Sequence, residues 1–383
     1  MYKRQEFVRS FSSRTYHKIA FPFPGPSGFE TSEQWAANNC VEPTDNKFFR
    51  VAAETELERQ APRTIDPQRY WLFDHWSTGS DPAIHVAELS AGRVYGKSGA
   101  VISTENNLLT DMCQEQGNAP ENHSLLKFES LPTPQRIDAN IGVLSAAAAN
   151  TYYHFIFDVI PRIQFLKERS LDYFFVNNRS GFQKQLLELA GIPKSKVIPA
   201  TKYAHIQAKQ LVATSMLSRP GTVSRTSWQY LRSLLNLRDT NSSFPRKIYI
   251  SRHDARYRRV TNETQVVSAL AQLGYQPIKL SKLTVSQQMQ LFATAKRVVA
   301  PHGAGLSNLA FSLPETRVLE LFSPHYVNPC YWTMCQHGGL VYYYLMGSAP
   351  RATQFESPKM HRKHITIEIE KLLASVEHME AGP

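Results

Sequence analysis

Four arginines fall within eight positions in Ser251-Arg252-His253-Asp254-Ala255-Arg256-Tyr257-Arg258-Arg259, directly after the apolar run Ile248-Tyr249-Ile250. A guanidinium is always charged and can grip two phosphate oxygens at once, so Arg252, Arg256 and Arg259 are candidate contacts for a diphosphate. Burying each of them without an anion would be costly. Read without a ligand, the same stretch is a solvated basic loop. A second candidate starts where the run Val298-Val299-Ala300 stops at Pro301 and opens into His302-Gly303-Ala304-Gly305. Leu306, Leu309, Ala310 and Leu313 follow at helical spacing, which reads as a buried strand, a tight turn and a helix start over Lys296–Asn308. Two glycines admit close approach of main chain to a ligand, and free N–H groups at a helix start attract phosphate. His302, Gly303, Ala304, Gly305 and Asn308 are therefore candidates too. A βα turn with no ligand fits the bare pattern equally well.

The third stretch is Asn150-Thr151-Tyr152-Tyr153-His154-Phe155-Ile156-Phe157-Asp158-Val159-Ile160-Pro161-Arg162. His154 and Asp158 are four apart and share one face of a helix, with Arg162 one turn further on. An imidazole beside a carboxylate is a general base for a hydroxyl near neutral pH; a histidine satisfied inside a packed helix has the same spacing. Glu320 is an acid within the apolar strand Arg317–Phe322. A buried acid needs partners, which ribose hydroxyls or an internal hydrogen bond could supply.

The elements that must position these groups alternate. Thr151–Lys167 has helical periodicity, Tyr173–Val176 reads as strand and Phe182–Leu189 as helix. Val197–Ile198 and Gln210–Ala213 read as strands and Trp228–Leu237 as helix. After a break at 239–245 come strand Lys247–Ser251, helix Glu263–Leu273 with Asn262 as its N-cap, strand Gln276–Leu280 and helix Ser286–Ala295. Strands Arg297–Ala300, Arg317–Phe322 and Leu340–Leu345 and a last helix, Ile367–Met379, complete the series. Strands alternating with helices of this length predict an α/β chain of two Rossmann-like halves with parallel sheets and ligands at the strands' carboxyl ends. Residues 1–65, rich in Pro, Ser and charge, read as a partly irregular extension. Residues 66–242 form an N-terminal domain with a small β-rich start, 243–355 a C-terminal domain, and 356–383 a helix able to pack back on the N-terminal domain.

At 383 residues, 42% hydrophobic and 11% aromatic, the chain can build two real cores and is not a disordered one. Its net charge of +11 favours anionic partners: nucleotide phosphates, acidic lipid headgroups or nucleic acid. No nucleic-acid recognition fold or regular aromatic–basic interleaving supports the last. The four cysteines, at 40, 113, 330 and 335, form no Cys-x-x-Cys pair and read as reduced cytosolic thiols. No secretory leader and no apolar run long enough for a membrane span are evident, so the expectation is a cytoplasmic protein, at most peripheral to an acidic membrane. There is no phosphate-binding Gly-x-x-x-x-Gly-Lys-Ser/Thr loop, His-Glu-x-x-His helix or Gly-x-Ser-x-Gly elbow. Without an Asp-x-Asp pair there is no ready carboxylate bracket for a metal-bound diphosphate. Arg and backbone N–H groups must neutralise it instead.

Taken together, Tyr152–Phe155 through Asp158 and Pro161-Arg162, Ser251–Arg259 with Asn262-Glu263, and Pro301–Asn308 continued by Val318–Leu321 resemble the family-61 glycosyltransferases. The similarity covers about residues 85–345. It implies a GT-B fold, two facing Rossmann-like domains with the donor nucleotide held by the C-terminal one. It implies inverting transfer from a nucleotide sugar, usually a UDP-sugar, to a hydroxyl of a glycan or lipid-linked glycan acceptor, as in polysaccharide biosynthesis. Carried over by position, Arg252 and the backbone at Gly303–Gly305 would hold the donor, while His154 and Asp158 would face the acceptor, either being the base. No cofactor is expected, and metal is unneeded or weakly needed. The missing leader departs from the plant and animal members, which work in the secretory pathway, and suggests either a bacterial-type cytosolic enzyme or a trimmed chain. A non-catalytic relative that binds a nucleotide sugar or polysaccharide is the alternative.

Overall fold

The computed structural model describes residues 22–41, 43–115, 118–234, 243–348 and 362–382, and the chain is mixed α/β with parallel strands. The first 21 residues of the expected extension, most of the 239–245 break and positions 349–361 lie outside the described residues. Contacts divide the chain into two units, residues 1–54 with 82–217 and residues 55–81 with 218–383.

In the first unit Gln135–Val143 lies between Tyr173–Val176 and His205–Thr214, with Val197–Pro199 beyond, all parallel. Asp138 and Asn140 interrupt the apolar pattern of that central strand, so periodicity does not announce it. The sheet is not wholly parallel, a correction to the expected Rossmann-like half. Ile84–Ser90 and Arg93–Tyr95 both pair antiparallel with His205–Thr214, and the sheet continues through Ala100–Ile102 and Asn107–Leu109 to Gly28–Glu30. Gly96 (φ 71°), Gly99 (φ 70°) and Asn106 (φ 66°) make the tight turns that join Arg93–Tyr95, Ala100–Ile102 and Asn107–Leu109 as antiparallel neighbours.

The expected irregular extension also changes. Thr31 and Gln34 form a capping box that starts the helix Ser32–Asn39 and sets Trp35 into the core with Leu89, Val143 and Phe175. Lys47–Ala52 pairs with Ile84–Ser90. Phe23–Pro24 pairs with Ser130–Leu131 in a separate two-stranded ribbon, where prolines are tolerated.

The second unit is built on five parallel strands in the order Gln276–Ile278, Lys247–Ile250, Arg297–Pro301, Arg317–Phe322, Val341–Met346. On one face Tyr249, Val299, Leu319 and Tyr343 pack with Val266 and Leu270 of the helix Glu263–Gln272 and Leu372, Val376 and Met379 of the helix Ile369–Ala381. The terminal helix thus covers one face of this sheet. Its Glu380 binds Lys247 and Arg297 at 2.9 Å each. Residues 55–81 also belong to this unit. Arg63 N donates to Tyr342 O and Tyr344 N to Arg63 O, both at 3.0 Å, so this segment covers the outer edge of Val341–Met346. Phe73 stacks on Tyr344 at 4.7 Å and meets Trp332 edge-on at 5.4 Å. Asn262 precedes the helix Glu263–Gln272 without capping it through its side chain: Nδ2 donates to Ile367 O and Oδ1 accepts from Ile367 N, fastening the start of the terminal helix instead.

Candidate functional site

Strand order in the second unit reverses between Lys247–Ile250 and Arg297–Pro301. Connections leaving the carboxyl ends of two such strands diverge to opposite faces, which opens a crevice where ligands of open parallel sheets bind. The loops leaving these two ends are the arginine loop and the glycine turn. Arg252 lays its guanidinium on Gly303: a Cβ built there would lie 1.9 Å from Nη1 and 2.4 Å from Cζ. The Gly303 backbone is extended (φ 164°), so glycine is required for room and not for conformation. Arg252 Nη2 donates to Tyr257 O at 3.0 Å and Nε to Arg258 O at 3.3 Å, so the loop curls around its own first arginine. Burial, then the neighbouring Arg258 charge, draws the Arg252 pKa down to about 10. The group is still a cation at neutral pH, but a poorly solvated one, and an anion would relieve that.

Arg258, not Arg256 or Arg259, is its neighbour in the site. Its Nε donates to the His302 carbonyl at 3.1 Å, and its guanidinium lies 5.2 Å over the Tyr326 ring. Arg256 and Arg259 are exposed; Arg256 rests over Tyr257, while the Arg259 main chain pairs with His364 Nδ1 and Ile365 N. An irregular loop has no period, so spacing alone does not identify which arginine turns inward. Arg258 adopts φ 54°, a conformation uncommon for a residue with a side chain.

Beneath the turn, His302 stacks on Phe322 at 5.3 Å and is flanked by Tyr326 and Tyr331, each 5.4 Å away. Its Nδ1 meets Glu320 Oε1 at 2.5 Å, and the other Glu320 oxygen accepts from Tyr342 OH. Burial lowers the His302 pKa, opposed by Glu320 and assisted by Arg258 and Arg252. Glu320 is fully buried, with both oxygens engaged inside the protein. Asn308 is buried as well, its Nδ2 donating to Gln288 Oε1 (2.9 Å) and Gly305 O (3.1 Å). At Gly305 a Cβ would strike Leu280 Cδ1 at 2.7 Å, so this glycine serves packing. The turn leads into a 3-10 helix, Ala304–Phe311, and not an α-helix. Its first N–H groups, at Ala304 and Gly305, directly follow Gly303 and have no partner within the helix.

The first unit carries the other cluster, after the carboxyl end of Gln135–Val143. The expected single helix is instead an α turn (Tyr152–His154), a π segment (Phe155–Val159), a 3-10 turn (Ile160–Arg162) and an α turn (Ile163–Leu166). Pro161 supplies the physical reason: it has no N–H, and its ring displaces the carbonyl four residues earlier, so the turn widens. His154 Nδ1 and Asp158 Oδ2 still meet at 2.7 Å, both partly exposed. Tyr153 lies edge-on to His154 at 5.0 Å. Arg162 does not continue that face. It is fully buried, and its Nε donates to Thr214 Oγ1 (2.6 Å), Nη2 to Thr214 O (2.8 Å) and Nη1 to Ser145 O (3.1 Å). It ties together the carboxyl ends of two parallel strands, and burial draws its pKa down to about 10.

Among the described residues no group of three or more His, Cys, Asp or Glu side chains could hold a metal ion, and no helix is long and apolar enough to cross a membrane. Residues 152–319 match the family model described as Glycosyltransferase 61, which supports a family-61 glycosyltransferase. That span contains His154, Asp158, the arginine loop and the glycine turn. No curated protein matches the chain.

Proposed function

With a family-61 glycosyltransferase region in the chain, we propose that it moves a sugar from a UDP-sugar to a hydroxyl of a glycan or lipid-linked glycan acceptor, with inversion and without a bound metal, in a two-domain GT-B arrangement in the cytoplasm. The observation that carries this reading is the Arg252 guanidinium lying on Gly303 where the strand order reverses. Arg252, Arg258 and the first N–H groups after Gly303 neutralise the diphosphate, in the role a metal would otherwise fill. Glu320 acts one step back, holding His302 in the wall of the turn.

On the acceptor side Asp158 takes a hydrogen bond from His154 Nδ1, and Nε2 then carries the lone pair. Nε2 removes the acceptor hydroxyl proton while that oxygen attacks the anomeric carbon. The bond from that carbon to the diphosphate oxygen breaks, and its electron pair leaves with UDP. Attack opposite the leaving group inverts the centre. Incubation with a panel of UDP-sugars and acceptors, read by UDP release, tests the reading. We expect His154→Ala to abolish transfer with UDP affinity retained, and Arg252→Ala to weaken UDP binding itself. Normal transfer by the His154 variant would remove the base assignment; UDP binding without turnover for every pair would favour the non-catalytic alternative.

A further inference from the structure

Small-molecule sites are hollows of about 300–1,000 Å³, and the first unit has one of ≈ 460 Å³ whose wall includes Ala146–Asn150, the loop that leads into His154. Its other walls include the turn residues Gly96, Lys97 and Ser98, Asn177 just after the strand Tyr173–Val176, and Phe128 and Tyr203. These parts are locked together. A Cβ on Gly99 would meet Ser145 Cβ at 2.7 Å, Asn177 Nδ2 donates to Lys97 O at 2.8 Å, and Gln183 Nε2 holds Ala149 O at 2.8 Å. Ser145 is also the residue whose carbonyl binds Arg162, so cavity and base-bearing segment share one support. Ala148 sits at φ 56°, a strained conformation held by Thr151 N and Oγ1 donating to its carbonyl.

The chemistry of the wall narrows the ligand. Phe128 and Tyr203 are 49% and 39% exposed, flat apolar surfaces of the kind a sugar ring lies against. Asn177 Oδ1 is a buried acceptor with no hydrogen-bond partner, which a ligand hydroxyl would satisfy. The wall's one carboxylate, Glu115, is engaged by Ser124 N (2.8 Å), Ser124 Oγ (2.5 Å) and Asn118 Nδ2 (3.0 Å). Lys97 and Lys202 have no carboxylate partner among the described residues; Lys202 Nζ lies 4.8 Å over the Tyr203 ring. Two ammonium groups without a paired carboxylate thus line a hydrogen-bonding, ring-lined hollow.

We propose that this cavity is the acceptor subsite and that it selects an anionic saccharide, the ring lying against Tyr203 and Phe128 and the anionic substituent facing Lys97 and Lys202. The inference rests on the transferase reading above. Titration of the full chain with trigalacturonate, glucose 6-phosphate and uncharged maltotriose, followed by saturation-transfer NMR, tests it and separates a carboxylate from a phosphate. At least one anion should bind about tenfold or more tighter than maltotriose, the scale of one charge-assisted hydrogen bond. The Lys97→Ala/Lys202→Ala double variant should lose that preference while its UDP affinity and melting temperature stay unchanged. Equal binding of maltotriose, an unaltered preference in the double variant, or no binding of any saccharide by a protein that still binds UDP overturns the subsite and leaves the transferase reading standing. Failure of the unmodified protein to bind UDP would remove both.

Discussion

Replacing Gly303 by alanine introduces one methyl group, at a position 1.9 Å from Arg252 Nη1 and 3.0 Å from Nε. The backbone accepts it, because φ 164° is ordinary extended chain. The clashing atoms are the end of a long side chain, so the guanidinium gives way and the main chain stays. Arg252 then loses its bonds to the Tyr257 and Arg258 carbonyls, at 3.0 and 3.3 Å. Stability should fall only by about 1–2 kcal/mol, since each such bond nets about 1 kcal/mol and the freed cation regains water. UDP affinity should fall much more: a lost charge-assisted bond to phosphate is worth about 1.5–3 kcal/mol, or about 10- to 100-fold in Kd. Calorimetric titration with UDP on Gly303→Ala, Arg252→Ala and the double variant measures this. If the glycine acts only by admitting the arginine, the double variant binds UDP no worse than Arg252→Ala alone. Additive losses, or Gly303→Ala binding UDP within about twofold of the unmodified chain, would refute the cradle.

Two further predictions concern stability. Glu320→Ala strips His302 and Tyr342 of their shared acceptor in a fully buried place, and each stranded group costs about 1–3 kcal/mol; denaturant unfolding should register a loss of that order, and a variant of unchanged midpoint would count against the buried triad. His205 is buried with Nδ1 against the Pro132 carbonyl at 2.6 Å, and burial brings its pKa down to about 4. The unfolded chain therefore binds a proton that the folded chain refuses between about pH 6.5 and 4, so stability present above the upper value declines as pH falls through this window. His205→Gln should flatten that part of the melting-temperature profile; an unchanged slope would show that other groups set it.

The repeating strands and helices of residues 173–346 were legible because each is a continuous apolar run or a periodic segment bounded by turn residues. Tyr173–Val176 and Arg317–Phe322 have the bounds that pattern implies, and most other elements differ by one to a few residues at an end. What stayed hidden depends on partners distant in sequence. Gln135–Val143 contains Asp138 and Asn140 and is strand because neighbours on both sides complete it. The helix Ser32–Asn39 did carry a local signal, Thr31 with Gln34 three positions on, obscured by the surrounding proline-rich composition. At the site, residue type marked Arg252 and Gly303, but only packing distinguishes Arg258 from Arg256, or turns Glu320 inward to His302. The widening at Phe155–Val159 follows from Pro161, which was in view; its effect on where Arg162 points depended on Thr214 and Ser145.

The strip from Thr55 to Asp81 leaves one body of the protein, finishes another and returns. On the ribosome it emerges more than two hundred residues before Val341–Met346, the strand whose border it seals. Until then Phe73 and its neighbours have no seat, while the body encoded around them can already close. Neither body is therefore a contiguous gene segment: a fragment starting at Ser218 would be born with an open β-edge, and exchanging halves between relatives at one crossover would separate that strip from the strand it protects.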